Sequence, residues 1–217
     1  MTTHGRLRLL ALRDQTDAAG EDMARQRERF TALAGREAVR AVSAFNLFQT
    51  PEAIADMMAA TANPQDGERW LEPSAGLGRL YRALRYRSAA HVTLVEQAPQ
   101  CAAELYRETA GDDAATLIEG DFLQCTAERL GGLFDGILMN PPFKNATDMK
   151  HIRHALTFLK PGGRIVALCY AGPRQQAAFE NRNGWTWRGL EAGAFRSEGT
   201  GAAVAMITKT KENQADD

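Results

Sequence analysis

The segment Asn140-Pro141-Pro142-Phe143 follows a short apolar run, Phe134 to Met139, and gathers hydrogen-bond acceptors at one point. Two consecutive prolines fix φ and remove two main-chain donors. The carbonyls of Asn140 and Pro141 are left as outward acceptors, with the Asn140 side-chain oxygen beside them. Such a group suits a planar amino nitrogen, whose hydrogens are taken up so that its lone pair faces an electrophile. Phe143 adds an aromatic face for a flat base, a contact worth about 1 to 3 kcal/mol. Carboxylates recur at comparable places. Glu72 precedes Pro73-Ser74-Ala75-Gly76-Leu77-Gly78, where the glycines let the backbone approach a ligand before the next helix begins. Glu96 stands 24 residues after Glu72, one strand-helix repeat further on, where a carboxylate can accept from both hydroxyls of a ribose. Asp121 and Phe122 close another apolar run, the acid suited to an adenine amino group and the ring to its face. Singly, each acid reads as readily as a solvated strand end, and the glycine loop as a tight turn. Their recurrence at successive strand ends is what points to a ligand.

The elements that must position these residues are short apolar runs alternating with helical stretches. That alternation predicts βα units feeding a mostly parallel sheet. Strands are expected at 69–72, 91–96, 115–119, 134–139 and 164–169, with a hairpin-like pair at 185–194 and 202–210. Helices are expected at 78–86, 99–109, 126–130 and 148–159. The fold class is therefore α/β, a Rossmann-like, seven-stranded, mostly parallel sheet flanked by helices. Ligands of open α/β sheets bind at the carboxyl ends of the strands, where the residues above fall. Before this domain, the Arg-, Glu-, Ala- and Leu-rich stretch predicts an N-terminal helical extension over 1–45. Thr50 and Pro51 mark a helix start, with Ile54, Met57 and Met58 as its apolar face. The domain itself is placed at 46–210, and 211–217 reads as a disordered tail.

Composition bounds the function classes. The chain has 217 residues, 44% hydrophobic and 24% charged, with 26 basic and 27 acidic side chains. This excludes the collagen-like, disordered and disulfide-rich classes. A formal charge of −1 argues against a large nonspecific polyanion-binding surface and leaves room for a local basic patch. The absence of a long apolar run and the early polar N-terminus predict no membrane span and no signal peptide, hence a cytoplasmic protein. Cys101, Cys125 and Cys169 lack metal or redox spacing and read as small buried residues.

At these motifs the chain resembles a class I S-adenosylmethionine-dependent methyltransferase, in the group that methylates the N6 of adenine in DNA. The resemblance covers about residues 45–210, with the motifs in that family's order. It implies that Phe48, Thr50 and Pro51 close over the methionine end of S-adenosylmethionine and that Glu72, Ser74, Ala75, Gly76 and Gly78 lie beneath it. Glu96, with Gln97, would hold the ribose, Asp121 and Phe122 the adenine, and Asn140-Pro141-Pro142-Phe143 would be the catalytic tetrapeptide, Asn140 also touching the cofactor. The stretches 148–155, 159–164 and 195–201 are similar to small phage-type adenine methyltransferases. No metal is implied.

Several residues carry weaker signals. Lys144, Lys150 and Arg153 follow the tetrapeptide, where a nucleic-acid backbone can pass beside Phe143. Arg79, Arg82, Arg85 and Arg87 form a basic cluster read either as phosphate contacts or as a solvated helix face. His151 and His154 stand three apart without a third ligand, and Trp185 and Trp187 read as buried strand residues. Larger DNA methyltransferases of this motif order carry a separate recognition domain. Its absence here leads to the expectation that specificity comes from loops, the N-terminal helices, or a protein partner or second copy docked on them. The same tetrapeptide also serves RNA adenine N6, RNA guanine N2 and protein glutamine. Two other classes remain: a catalytically idle methyltransferase fold acting as a binding subunit, and a nicotinamide-dependent dehydrogenase, for which the full G-x-G-x-x-G is missing.

Overall fold

The computed structural model describes residues 49–212. The extension expected over 1–45, Phe48 and residues 213–217 lie outside the described residues.

The described chain runs α1 (Glu52–Ala62), β1 (Arg69–Glu72), α2 (Arg79–Arg87), β2 (His91–Glu96), α3 (Pro99–Glu108), β3 (Ala115–Glu119), β4 (Phe134–Met139), α4 (Thr147–Leu156), β5 (Leu159–Tyr170), α5 (Pro173–Phe179), β6 (Thr186–Gly189) and β7 (Val204–Thr210). The strands form one seven-stranded sheet in the order β3-β2-β1-β4-β5-β7-β6. Neighbours from β3 to β5 are parallel, and β7 is antiparallel to both β5 and β6. The chain builds outward from β1 through β2 to β3 and then returns to β4 beside β1, so the strand order reverses between β1 and β4. A crevice opens at such a switch point.

The parallel strands are apolar on both faces because helices cover both. On one face Leu71, Val95, Ile137, Met139, Ile165 and Ala167 join Met149, Ile152 and Ala155 of α4 and Phe179 of α5 in one core. The alternate residues Trp70, Leu94, Leu138, Val166 and Leu168 are equally buried and point to the opposite face. There α1 packs against β4, β5 and α2, and α3 against β2 and β3. Gly136 in β4 is required by this packing, because a Cβ there would lie 2.3 Å from the Trp70 ring.

The structure departs from the sequence expectations in five places. Residues 126–130 form turns, not a helix, and a 3₁₀ turn at Phe122–Gln124 precedes them. Helix α4 ends at Leu156, and β5 begins at Leu159 rather than 164. A register shift lets Lys160 to Gly163 stay in the strand, Phe134 pairing with Leu159 and Gly136 with Arg164. Helix α5 was not expected. The strands of the last pair are shorter, Thr186–Gly189 and Val204–Thr210. Lys211, placed in the tail, still exchanges main-chain hydrogen bonds with Gly162 and Gly163.

Candidate active site

A cavity of about 650 Å³ lies at the carboxyl ends of β1, β2, β3 and β4. Its walls bring together Thr50, Glu72, Ser74, Ala75, Gly76, Glu96, Gln97, Asp121, Phe122 and the whole of Asn140 to Phe143, although these residues span some 90 positions of sequence. Pro51 and Gly78 do not line it. Pro51 caps α1, its carbonyl accepting from Ile54 and Ala55. Gly78 takes the left-handed conformation at φ 78° that turns the loop into α2, and a Cβ there would meet Leu105 at 3.0 Å. Lys144 lines the cavity, whereas Lys150 and Arg153 are exposed on α4 and do not.

The floor is acidic. Glu72 ends β1 at 1% exposure, and its Oε2 has no hydrogen-bond partner among the described residues. Burial, reinforced by the nearby charge of Glu96, pushes its carboxyl well above the usual range, and the Tyr81 main-chain N–H and Arg82 offset this only in part. Glu96 accepts from the Gly76 N–H through Oε2 and from the Ala98 N–H through Oε1, both at 2.7 Å. It thereby ties the glycine loop to β2. Burial raises the Glu96 pKa as well, against the pull of these amides. Asp121 Oδ1 accepts from the Leu123 N–H at 2.9 Å and caps the 3₁₀ turn, which fixes the carboxylate at the rim. The Phe122 ring is buried against His151, His154 and Phe158, with centroids 5.5, 4.9 and 5.7 Å away, so it is held from below as part of the wall.

Opposite stands the tetrapeptide. Asn140 Nδ2 donates to Thr50 Oγ1 at 3.1 Å, which ties the side chain to Thr50. Pro141 is buried, while Pro142 and Phe143 are half-buried. Beyond Lys144, both Asn145 and Ala146 adopt positive φ, 56° and 55°, reversing the chain into α4. For Ala146 this conformation costs about 1 kcal/mol, and strain of this kind gathers at functional loops.

Sequence reasoning missed several wall residues. His151, weighed only as a metal ligand, lines the cavity, sits with Nδ1 3.3 Å from Ser74 Oγ, and has its pKa lowered to about 4 by burial. Its neighbour in the pair, His154, reaches the Cys125 carbonyl from Nε2 at 3.2 Å. Arg79 also lines the cavity. The rest of the basic cluster is engaged elsewhere: Arg82 with Glu108, Arg85 with Asp112 at 2.7 Å, and Arg87 with the Asp56 carbonyl. The spacing of His151, three from Asp148 and four from Ala155, both buried on the same helix face, was a signal for its inward placement.

A mostly parallel sheet of this order, with acids ending β1 and β2 and a cleft at the switch point, is the Rossmann-like fold of class I S-adenosylmethionine-dependent methyltransferases. The sequence model of the methyltransferase small domain matches residues 52–181, and the chain belongs to that family. Among solved structures, one provisionally described as an RNA methyltransferase of Pyrococcus horikoshii superposes with a TM-score of 0.61 at 17% identity, covering 87% of this chain and 99% of that one. The 23S rRNA methyltransferase ErmE gives 0.58 at 16%, covering 78% and 72%. A modification subunit of a provisionally assigned type I restriction enzyme from Vibrio vulnificus gives 0.61 at 17%, covering 81% of this chain and 47% of its own. This chain thus spans about half the length of that subunit. No curated protein matches the sequence. Among the described residues, no helix is long and apolar enough to cross a membrane.

Proposed function

We propose that the protein transfers a methyl group from S-adenosylmethionine to an exocyclic amino nitrogen, N6 of adenine in DNA. The observation that carries this reading is that the Asn140 to Phe143 turn lines the same cavity as Glu72, Glu96 and Asp121. The donor set fits the cofactor. The Oε2 of Glu72, without a partner among the described residues, calls for a cationic or hydrogen-bonding group, and Glu96 keeps further lone pairs for hydroxyls. Glu72 and the glycine loop would hold the methionine end, Glu96 the ribose, and Asp121 the adenine. Bound there, the cofactor supplies an electrophilic methyl group.

The chain's own part is alignment. An adenine amine is a weak nucleophile because its lone pair is delocalised into the ring. Accepting its hydrogens at Asn140 Oδ1 and the Pro141 carbonyl favours a more tetrahedral nitrogen and fixes the lone-pair direction. Positioning of this kind supplies several kcal/mol. The Thr50 hydroxyl holds the Asn140 side chain in place. No general base or metal is needed for the transfer itself. Phe143 receives the base, which in a duplex must first leave the stack at a cost of a few kcal/mol, and Lys144 stands where a phosphate can pass.

The tetrapeptide and the 148–155 and 159–164 stretches support the DNA reading through their similarity to phage-type adenine methyltransferases. A type I modification subunit among the fold neighbours agrees with it. RNA is the second reading, favoured by the neighbours described as RNA and rRNA methyltransferases. Expressing wild type and Asn140→Ala in a methylation-deficient host and mapping modified bases tests both. N6-methyladenine in DNA with wild type alone supports the proposal, and methylated RNA with unmodified DNA replaces it with the second reading.

A further inference from the structure

We propose that Glu198, on the loop between β6 and β7, is a positioning residue for Asn140 and acts through Arg79 and Thr50. The inference rests on the amine-transfer reading above. One guanidinium nitrogen, Arg79 Nη1, donates both to Glu198 Oε1 and to the Thr50 carbonyl, each at 3.1 Å. Thr50 in turn accepts the Asn140 amide through Oγ1 at 3.1 Å. A continuous polar path therefore joins residues 119 apart in sequence to the turn that presents the acceptor oxygens.

The path has a job that packing alone does not do. A side chain that must hold an acceptor oxygen toward an amine needs its place fixed closely, and a directional hydrogen bond does this where packing leaves freedom. Thr50 Oγ1 supplies one such bond to Asn140, provided that Thr50 itself is held. Thr50 immediately precedes α1, whose N-cap Pro51 offers no side-chain cap, and the Thr50 carbonyl is bound by Arg79 rather than by the helix. Arg79 is a long side chain with many rotamers, and Glu198 fixes its fork. The pair is shielded, the two side chains being 24% and 15% exposed, so it is screened less than a surface ion pair. The loop that carries Glu198 is itself anchored, with Phe195 fully buried and Gly199 at φ 82° ending the turn Arg196–Glu198. Glu198 does not line the cavity and so acts only through the other residues.

The test uses the full chain and two readouts: the Asn140 side-chain amide resonance, assigned with Asn140→Asp, and the kinetics of methyl transfer. Glu198→Ala is expected to move that resonance and to lower kcat about tenfold, with cofactor Kd and acceptor KM within about threefold of wild type. Glu198→Gln, whose amide oxygen still accepts from Arg79, should restore most of both. Because the residues form one path, Glu198→Ala added to Thr50→Val should cost nothing beyond Thr50→Val alone. An unmoved resonance, an unchanged kcat, or losses that add in the double variant would overturn the proposal. A wild type that methylates no amine removes the functional reading, and the amide resonance then decides the path on its own.

Discussion

Replacing Glu72 by glutamine should make the free protein more stable while weakening its hold on the cofactor. Glu72 is 1% exposed, has one oxygen without a partner among the described residues, and feels the charge of Glu96. Its pKa in the folded chain is raised above that in the unfolded chain. Below about pH 4.3, the ordinary glutamate value, the group is protonated in both states and costs nothing. As pH rises, the unfolded chain ionises while the buried carboxyl resists, so stability falls until the raised folded pKa is passed. Glutamine removes that penalty. Each pKa unit of difference between the folded and unfolded chain is worth about 1.4 kcal/mol, and each kcal/mol moves the Tm of a fold this size by about 2 to 4 °C. Glu72→Gln is thus expected to melt above wild type at pH 8, by about 3 to 6 °C for each such unit, with the gain vanishing toward pH 4, followed by calorimetry without cofactor. Titration calorimetry at pH 8 should show S-adenosylmethionine bound at least about tenfold more weakly, the loss expected when one charge-assisted hydrogen bond disappears. A variant that melts at or below wild type at pH 8, or with a difference independent of pH, would refute the reasoning.

Other outcomes follow from single contacts. Gly136→Ala drives a Cβ into the Trp70 ring at 2.3 Å and should lose about 2 to 3 kcal/mol in urea unfolding. His151 has its folded pKa lowered to about 4 by burial, so its contribution is present above about pH 6.5 and is lost as pH falls toward 4. In His151→Gln the acid-side decline over that window should shrink by about 2 to 3 kcal/mol, measured by urea unfolding at stepped pH. Lys144→Ala should weaken binding of a nucleic-acid acceptor evenly across sequences and reduce the slope of log affinity against log salt by about 1.

The sheet was legible because its strands are short apolar runs bounded by polar or glycine residues, and most of the cavity lining because polar and glycine residues end those runs at their carboxyl ends. What escaped depended on partners far away in sequence. The stretch 126–130 has helical composition, but Gly131 and Gly132, at φ 78° and 117°, follow at once and leave only turns. Helix α5 is seven residues long, too short for periodicity to reveal. The start of β5 was hidden by Pro161, Gly162 and Gly163, which a register shift accommodates within the strand. The arginines of α2 looked unpaired because Glu198, Asp112 and Glu108 lie on other elements. Phe122 reads equally well as a ring on a ligand or as core, and the rings of His151, His154 and Phe158 decide how it is held.

In the proposed reaction Asn140 and the Pro141 carbonyl aim a flat nitrogen at a methyl group held over Glu72 and Glu96. The most direct test is transfer of a labelled methyl from S-adenosylmethionine to adenine-containing DNA by purified wild type and Asn140→Ala, with the product nucleoside identified by mass spectrometry. The expected result is N6-methyladenine from wild type, a rate about 100-fold or more lower for the variant, and cofactor affinity within about threefold between them. Equal rates, or label on a carbon or oxygen atom, would contradict it.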